Sequence, residues 1–242
     1  MDPSKPTYVD TGLGQWKYLH DLFVELGHQV ELVAARPGLP DMVFAANGAT
    51  VIDGKALVAK FRHAQRREES EAYLEWFQQR GWPDVSMARH DNEGEGDILF
   101  TGTEILAGTG FRTVPAAHAE LAEFFDRPVV SLTLVDPRFY HLDTALAVLD
   151  HGEVMYYPQA FHPASQEVLA ARFPGALLAA EADAEVFGLN AFSDGAHVVL
   201  PEAAGRLAGQ LKERGFEPIG VDLVELLKAG GSVKCCTLEL RR

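Results

Sequence analysis

Residues 69–108 read ESEAYLEWFQQRGWPDVSMARHDNEGEGDILFTGTEILAG, and their order decides the fold. Glu69–Gly81 reads as a helix closed by glycine. DVSMA follows as a strand. DILF and EILAG then form two short strands around Thr101-Gly102. Working outward, this helix–strand–hairpin unit recurs on both sides. Upstream, GQWKYLHDLFVELG (14–27) sets Trp16, Leu19, Phe23 and Leu26 at helical spacing and stops at Gly27. The strand QVELV (29–33) follows, then MVFAA and ATVIDGKALVAKF, hinged at Asp53-Gly54. Downstream, AAHAELAEFF (116–125) leads to VVSLTLV, then to TALAVLD and EVMYYP around His151-Gly152. SQEVLAARF (165–173) leads to ALLAAEA, then to LNAF and HVVL around Asp194-Gly195. PEAAGRLAGQLKERG (201–215), with proline at its start and glycine at its end, leads to PIGVDL and then only to CCTLEL. Five units of one kind predict a closed, pseudo-symmetric α/β ring with helices outside. An ordinary α/β sandwich fits the pattern equally well. The last unit has no hairpin partner, and no N-terminal strand to close a ring is expected from these residues, which begin almost directly at the first helix.

The 242 residues fall between one large domain and two small ones. No linker divides them, so residues 1–242 are read as one domain. With 21 Lys and Arg against 35 Asp and Glu, the net charge is −14. That excess repels phosphate backbones and anionic membranes, so nucleic acid and membrane are not expected partners. No apolar run approaches the roughly 18 residues of a membrane span, and MDPSKPTYVD has no secretory apolar core. Two adjacent cysteines form no disulfide framework. A cytoplasmic location is expected. A second copy of the chain stays open as a partner.

Four polar clusters fall just after helix–strand pairs, where loops gather at one end of a ring. They are Pro40–Asn47, Glu93–Asp97, His141–Asp143 and Gly230–Thr237. Each has an ordinary reading alone. Adjacent cysteines in a strand are usually small buried apolar residues. A His-x-Asp pair is usually a surface or capping pair. EGEGD fits a solvated turn, and it lacks EF-hand register. Zinc ligation from two Cys, His141 and carboxylates lacks CxxC or HxxxH spacing. At equivalent positions of successive units, however, Cys, His and carboxylate make a nucleophile, an acid/base and an orienting group.

The motifs PDMVFAANG, Arg66-Arg67, EGEGDILFTG, GFRT at Arg112, FYHLDTAL and GG-xxx-CCTLEL together resemble the guanidino-group modifying superfamily. The likeness runs through residues 10–240. Members include arginine deiminases, dimethylarginine dimethylaminohydrolases, arginine dihydrolases and amidinotransferases. The resemblance implies the five-bladed α/β propeller called the pentein, and hydrolysis of an arginine-like guanidino group with neither metal nor organic cofactor.

By the same resemblance, Cys235 is the nucleophile rather than Cys236, since Thr237 follows it at the family's spacing. His141 matches the general acid/base and Asp143 the carboxylate that grips the guanidinium. The carboxylate paired with the histidine falls in EGEGD, with Glu93 preferred and Glu95 the alternative; Asp97 joins the substrate-binding set. Arg66 and Arg112 match residues that hold the substrate's α-carboxylate, with Arg67 the alternative to Arg66. Asp41 and Asn47 belong to the first substrate loop. Deiminases carry Asp where this chain has Asn47, whereas dihydrolases resemble it there. The expected reaction yields ornithine, ammonia and carbon dioxide, as in an arginine dihydrolase, or citrulline and methylamines, as in a dimethylarginine hydrolase. The alternatives are amidino transfer to an amine, or binding without catalysis.

Overall fold

A computed structural model describes residues 6–150 and 152–241. Residues 1–5, the hinge residue His151 and Arg242 lie outside the described residues. Helices among the described residues are α1 (Val9–Glu25), α2 (Arg67–Gln79), α3 (Pro115–Phe125), α4 (Pro163–Arg172), α5 (Glu181–Glu185), α6 (Gly205–Glu213) and α7 (Val224–Ala229). The strands fall into four three-stranded sheets of one pattern. The first sheet holds β1 (Ala49–Ile52), β2 (Lys55–Val58) and β3 (Asp84–Met87); the second β4 (Ile98–Phe100), β5 (Ile105–Thr109) and β6 (Val129–Thr133). The third holds β7 (Leu146–Asp150), β8 (Glu153–Tyr156) and β9 (Leu177–Leu178); the fourth β10 (Phe192–Ser193), β11 (His197–Pro201) and β12 (Glu217–Val221). In each sheet two strands make an antiparallel hairpin and the third joins in parallel. A parallel neighbour cannot be reached by a tight turn. The crossover helices α2, α3, α4 and α6 supply the longer path. The first hairpin turns on Asp53 and Gly54, both at positive φ (50° and 75°), as a two-residue turn matched to strand twist demands.

Four sequence expectations are corrected. QVELV and CCTLEL form no strand, because neither segment has a ladder partner among the described residues. MVFAA folds instead within two 3-10 turns, Pro40–Val43 and Ala45–Gly48. Arg66 donates both to the Asp41 carbonyl and to the Asn47 side chain, which bends this segment around one guanidinium. Pro201 does not start a helix; it ends β11, past the last residue that pairs with β10, and α6 begins at Gly205.

The polar turns ahead of β1, β4 and β7 share one position. Asn47, Gly96 and Thr144 each stand two residues before a strand begins. The apolar residues of those strands (Val51, Ile98, Leu146) are buried, so the preceding turns are held on rigid supports.

Candidate active site

Leu142 is fully buried in the main apolar cluster and pins its turn from beneath. That leaves His141 and Asp143, its neighbours, for polar contacts. His141 Nε2 lies 2.8 Å from Glu93 Oε2, and Arg112 donates to the same oxygen at 3.1 Å. Burial alone would push the Glu93 carboxyl up, but His141, Arg112 and Arg66 outweigh it and hold it at about 2. Burial likewise works against a charged His141, yet Asp97, Glu93 and Asp143 raise its affinity for a proton above the usual histidine value. Glu93 and His141 are thus an ion pair shielded from water.

Cys235 Sγ lies 3.2 Å from Asp143 Oδ2, with the thiol donating. Burial, then the Asp143 charge, pushes the Cys235 thiol well up, so the resting sulfur keeps its proton. Burial pushes Asp143 itself up to about 6. Cys236 packs on the apolar cluster of α1 and β12; the two cysteines part within the turn Val233–Cys236 and not by strand alternation.

Two carboxylate oxygens in this cluster, Glu93 Oε1 and Asp143 Oδ1, are buried without a hydrogen-bond partner. Unsatisfied buried acceptors are costly, and a ligand rich in N–H donors relieves that cost.

Asn47 is 2% exposed. Its Oδ1 accepts from Arg66 Nη1 at 2.8 Å, and its Nδ2 donates to the Glu93 carbonyl at 3.3 Å. Arg66 can only donate, so this contact fixes which end of the amide is which. Arg66, expected to hold a substrate carboxylate, closes its fork on Glu69 through Nε at 2.9 Å and Nη2 at 2.8 Å. Arg67 is exposed. Asp41 stands at the rim, its carboxylate 3.9 Å from Arg66 Nε. Arg112 is partly open and stacks on Tyr140, with the guanidinium 4.7 Å from the ring centre.

Asp97, expected to touch substrate, spends both oxygens on the protein. Oδ2 accepts from the Thr113 amide and hydroxyl at 3.1 and 2.7 Å, and Oδ1 from the Leu142 amide at 3.1 Å. It fixes the turn that carries His141. Glu95 takes no part in the histidine pair; it binds Lys234 at 2.6 Å and Arg241 at 2.5 Å. A separate cavity of about 250 Å³ opens among the strand hairpins, lined by residues such as Thr101, Asp150, Asp194 and Lys234, and contains none of Cys235, His141, Asp143 or Glu93.

Sequence reading missed Asn190, which is fully buried and bonded to both Asp143 and Cys235. The signal was present: Asn190 stands two residues ahead of β10, the register Asn47 holds ahead of β1.

No family model matches the chain. Over 240 residues it is 56% identical to an N(G),N(G)-dimethylarginine dimethylaminohydrolase of Mycobacterium tuberculosis, covering 99% of this chain and 79% of that protein. Over 231 residues it is 37% identical to the bifunctional arginine dihydrolase/ornithine cyclodeaminase ArgZ of Synechocystis, covering 93% of this chain but only 33% of that protein. The crystal structure of the ArgZ N-terminal domain, a cysteine-to-serine mutant bound to substrate and described as an arginine dihydrolase, superposes with a TM-score of 0.94 at 35% identity, covering 97% of this chain and 88% of that one.

Proposed function

The chain belongs to the dimethylarginine dimethylaminohydrolase and arginine dihydrolase family of guanidino-group enzymes, and on that premise we propose that it hydrolyses the guanidino group of arginine or an N-methylarginine through a covalent Cys235 intermediate. One observation carries this reading. The Cys235 thiol and the Asp143 carboxylate meet beside the buried Glu93–His141 pair, with two carboxylate oxygens unpartnered. A guanidinium offers planar N–H donors to those oxygens as charge-assisted bonds.

The cation also alters the thiol. Its positive charge, set against Asp143, offsets the burial and the negative charge that keep Cys235 protonated. The thiol proton is released to solvent as the cation binds, and the thiolate attacks the central guanidino carbon; the sulfur takes a proton back when it is later expelled. Protonated His141 gives its proton to the departing amine, leaving a thiouronium on Cys235. Neutral His141 then takes a proton from water. The hydroxide adds to the same carbon, and collapse expels the sulfur and releases a ureido product. Glu93 holds the imidazole in place and stabilises its charged form. Arg112, partly open at the rim, is suited to an amino acid's carboxylate. Asp41 and Arg66 shape the loop that carries Asn47.

Asn47 supports the dihydrolase branch. An amide offers both donor and acceptor, so it tolerates a neutral ureido group where a carboxylate would favour only the cation. Retained citrulline can then be attacked a second time, giving ornithine, carbon dioxide and ammonia. We read the four like sheets, with α1 and the C-terminal segment in place of a fifth, as a five-fold ring and one catalytic domain over residues 1–242, because the site draws on the turns ahead of β1, β4 and β7 and on the C-terminal segment.

Incubation with arginine, citrulline and N,N-dimethylarginine, with products identified by mass, tests the proposal. Release of ornithine or citrulline supports hydrolysis. Amidino transfer to an added amine, or binding with no turnover, would replace it.

A further inference from the structure

We infer that Asn190 is the positioning residue for the nucleophile: its side-chain carbonyl clamps the backbone at Ser232 and at Cys235, and its amide donates to the sulfur once the thiol proton has left. The inference rests on the covalent Cys235 reading above.

All four arms of this amide are engaged inside the protein. Oδ1 accepts from the backbone N–H of Ser232 and of Cys235, each at 3.1 Å. Both are fixed donors, so the facing atom is an oxygen and the amide orientation is settled. Nδ2 carries two protons. One goes to the Asp143 carbonyl at 3.1 Å, and the other faces Cys235 Sγ at 3.1 Å. The Asn190 carbonyl also accepts from the Lys234 amide at 3.3 Å.

This geometry joins the two halves of the chemistry. The nucleophile segment reaches the site with no strand to hold it: residues 233–236 form turns rather than a ladder. Asn190 supplies the missing bonds and ties that segment to the residue that grips the cation. Neutral sulfur is a weak acceptor, whereas a thiolate is a strong one. An N–H aimed at Sγ therefore favours the reactive form over the resting one. It opposes the charge of Asp143, which favours the protonated thiol. The position also repeats the fold's own pattern. In the first unit Asn47 occupies the same register and bridges Arg66 to Glu93; in the fourth, Asn190 bridges Asp143 to Cys235.

The variant Asn190→Asp separates clamping from donation. It keeps an oxygen for the two backbone donors and removes the N–H groups that face Asp143 and the sulfur. Each protein is treated with chloroacetamidine across pH 6–10, and the rate of Cys235 alkylation is followed by intact mass, with Cys235→Ser as the control. Loss of one charge-assisted bond, about 1.5–3 kcal/mol, is roughly one to two pH units. The alkylation midpoint in Asn190→Asp should rise by that amount. Turnover of the folded protein should fall about 10–100-fold with KM within a few-fold of the parent, and the anionic oxygen set against the Asp143 carbonyl should lower the melting temperature as well. A midpoint and kcat equal to the parent in a folded Asn190→Asp protein would overturn the inference. If the parent itself is not alkylated at Cys235, the covalent reading fails instead. Asn190→Leu, which removes clamp and donor together, should lose more kcat than Asn190→Asp; equal losses would overturn the clamping half.

Discussion

Asp143 Oδ2 and Cys235 Sγ are 3.2 Å apart, so the carboxylate placed to grip a cation also holds the proton of the nucleophile. The two roles are mutually exclusive in charge. While the site is empty, the carboxylate stabilises the thiol. When a guanidinium arrives, the same carboxylate is neutralised and the thiol loses its reason to stay protonated. On the proposed mechanism, the nucleophile is therefore kept inert until its substrate is in place.

The two cysteines should separate cleanly. Cys235→Ser should abolish turnover, because a serine hydroxyl beside Asp143 is far too weak an acid to ionise there. Cys236→Ser should retain most of it, since that side chain packs against α1 and β12 and reaches neither Asp143 nor Asn190. Active-site titration with a haloacetamidine on both variants checks this. Label that disappears in Cys236→Ser but persists in Cys235→Ser would reverse the assignment.

The pH profile of kcat/KM should be a bell whose two limbs the proposed mechanism assigns to Asp143 and His141. Asp143 must be ionised to meet a cation, and burial pushes it up to about 6, so activity falls as pH drops through about 6. His141 must be protonated to release the amine. Burial works against this, but the charges of Asp97, Glu93 and Asp143 win, so the alkaline limb lies above the ordinary histidine value of 6.5. Glu93, held at about 2, contributes no limb in the working range. Replacing His141 by Asn should remove the alkaline limb and lower kcat by about 10²–10⁴-fold while arginine still binds. An alkaline limb retained by that variant would exclude His141 as the acid.

Gly94 is the hinge on which the Glu93 pairing depends. Its φ is +53°, and a Cβ there would sit 2.6 Å from the carbonyl oxygens of both Ala46 and Ala49. Those are backbone atoms and cannot rotate away. Gly94→Ala combines a strained left-handed residue with overpacking, so unfolding free energy should drop by roughly 2–5 kcal/mol. Urea denaturation measures it. A loss below about 0.5 kcal/mol would mean that the turn has another conformation.

The same hinge explains what the sequence could and could not yield. The four hairpins and their crossover helices were legible because apolar runs alternate with Asp-Gly, Thr-Gly and His-Gly pairs at regular places. The cluster Asn47, Glu93, His141, Asp143 and Cys235 was legible because its residue types fall at equivalent points of the units. The preference for Glu93 over Glu95 agrees with the His141 contact, but it rested on resemblance and not on the residues themselves. Gly94 turns the chain between them, sending one to His141 and the other to Lys234, and no spacing rule encodes that reversal. Asp97 and Arg66 looked like ligand contacts, but their partners Leu142 and Glu69 became apparent only once the turns were folded together. Asn190 was hidden because LNAF shows one polar residue in an apolar run. The segments 29–33 and 235–240 carry strand-like composition, but strands need neighbours, and propensity alone cannot supply them.

The last prediction concerns Asn47. In the structure its oxygen faces Arg66 and its nitrogen faces the Glu93 carbonyl, 3.3 Å away. Asn47→Asp would keep the Arg66 contact and strengthen it with charge. On the other side it would set an anionic oxygen against a carbonyl oxygen, with no proton between them. That unsatisfied pair costs about 1–3 kcal/mol. The added negative charge also favours a cationic guanidinium over a neutral ureido group. If Asn47 is what lets citrulline remain for a second attack, the parent should release ornithine from arginine. The variant should stop at citrulline, with ornithine output falling roughly 10-fold or further. A purely structural role for Asn47 makes a different forecast. The Arg66–Asn47 bond would then only brace the first loop, and the substitution would shift melting temperature while leaving the product ratio alone. A time course of citrulline against ornithine, run on parent and variant at matched folded concentration, separates the two. An unchanged ratio would remove Asn47 from product selection and with it the support for a second round of hydrolysis.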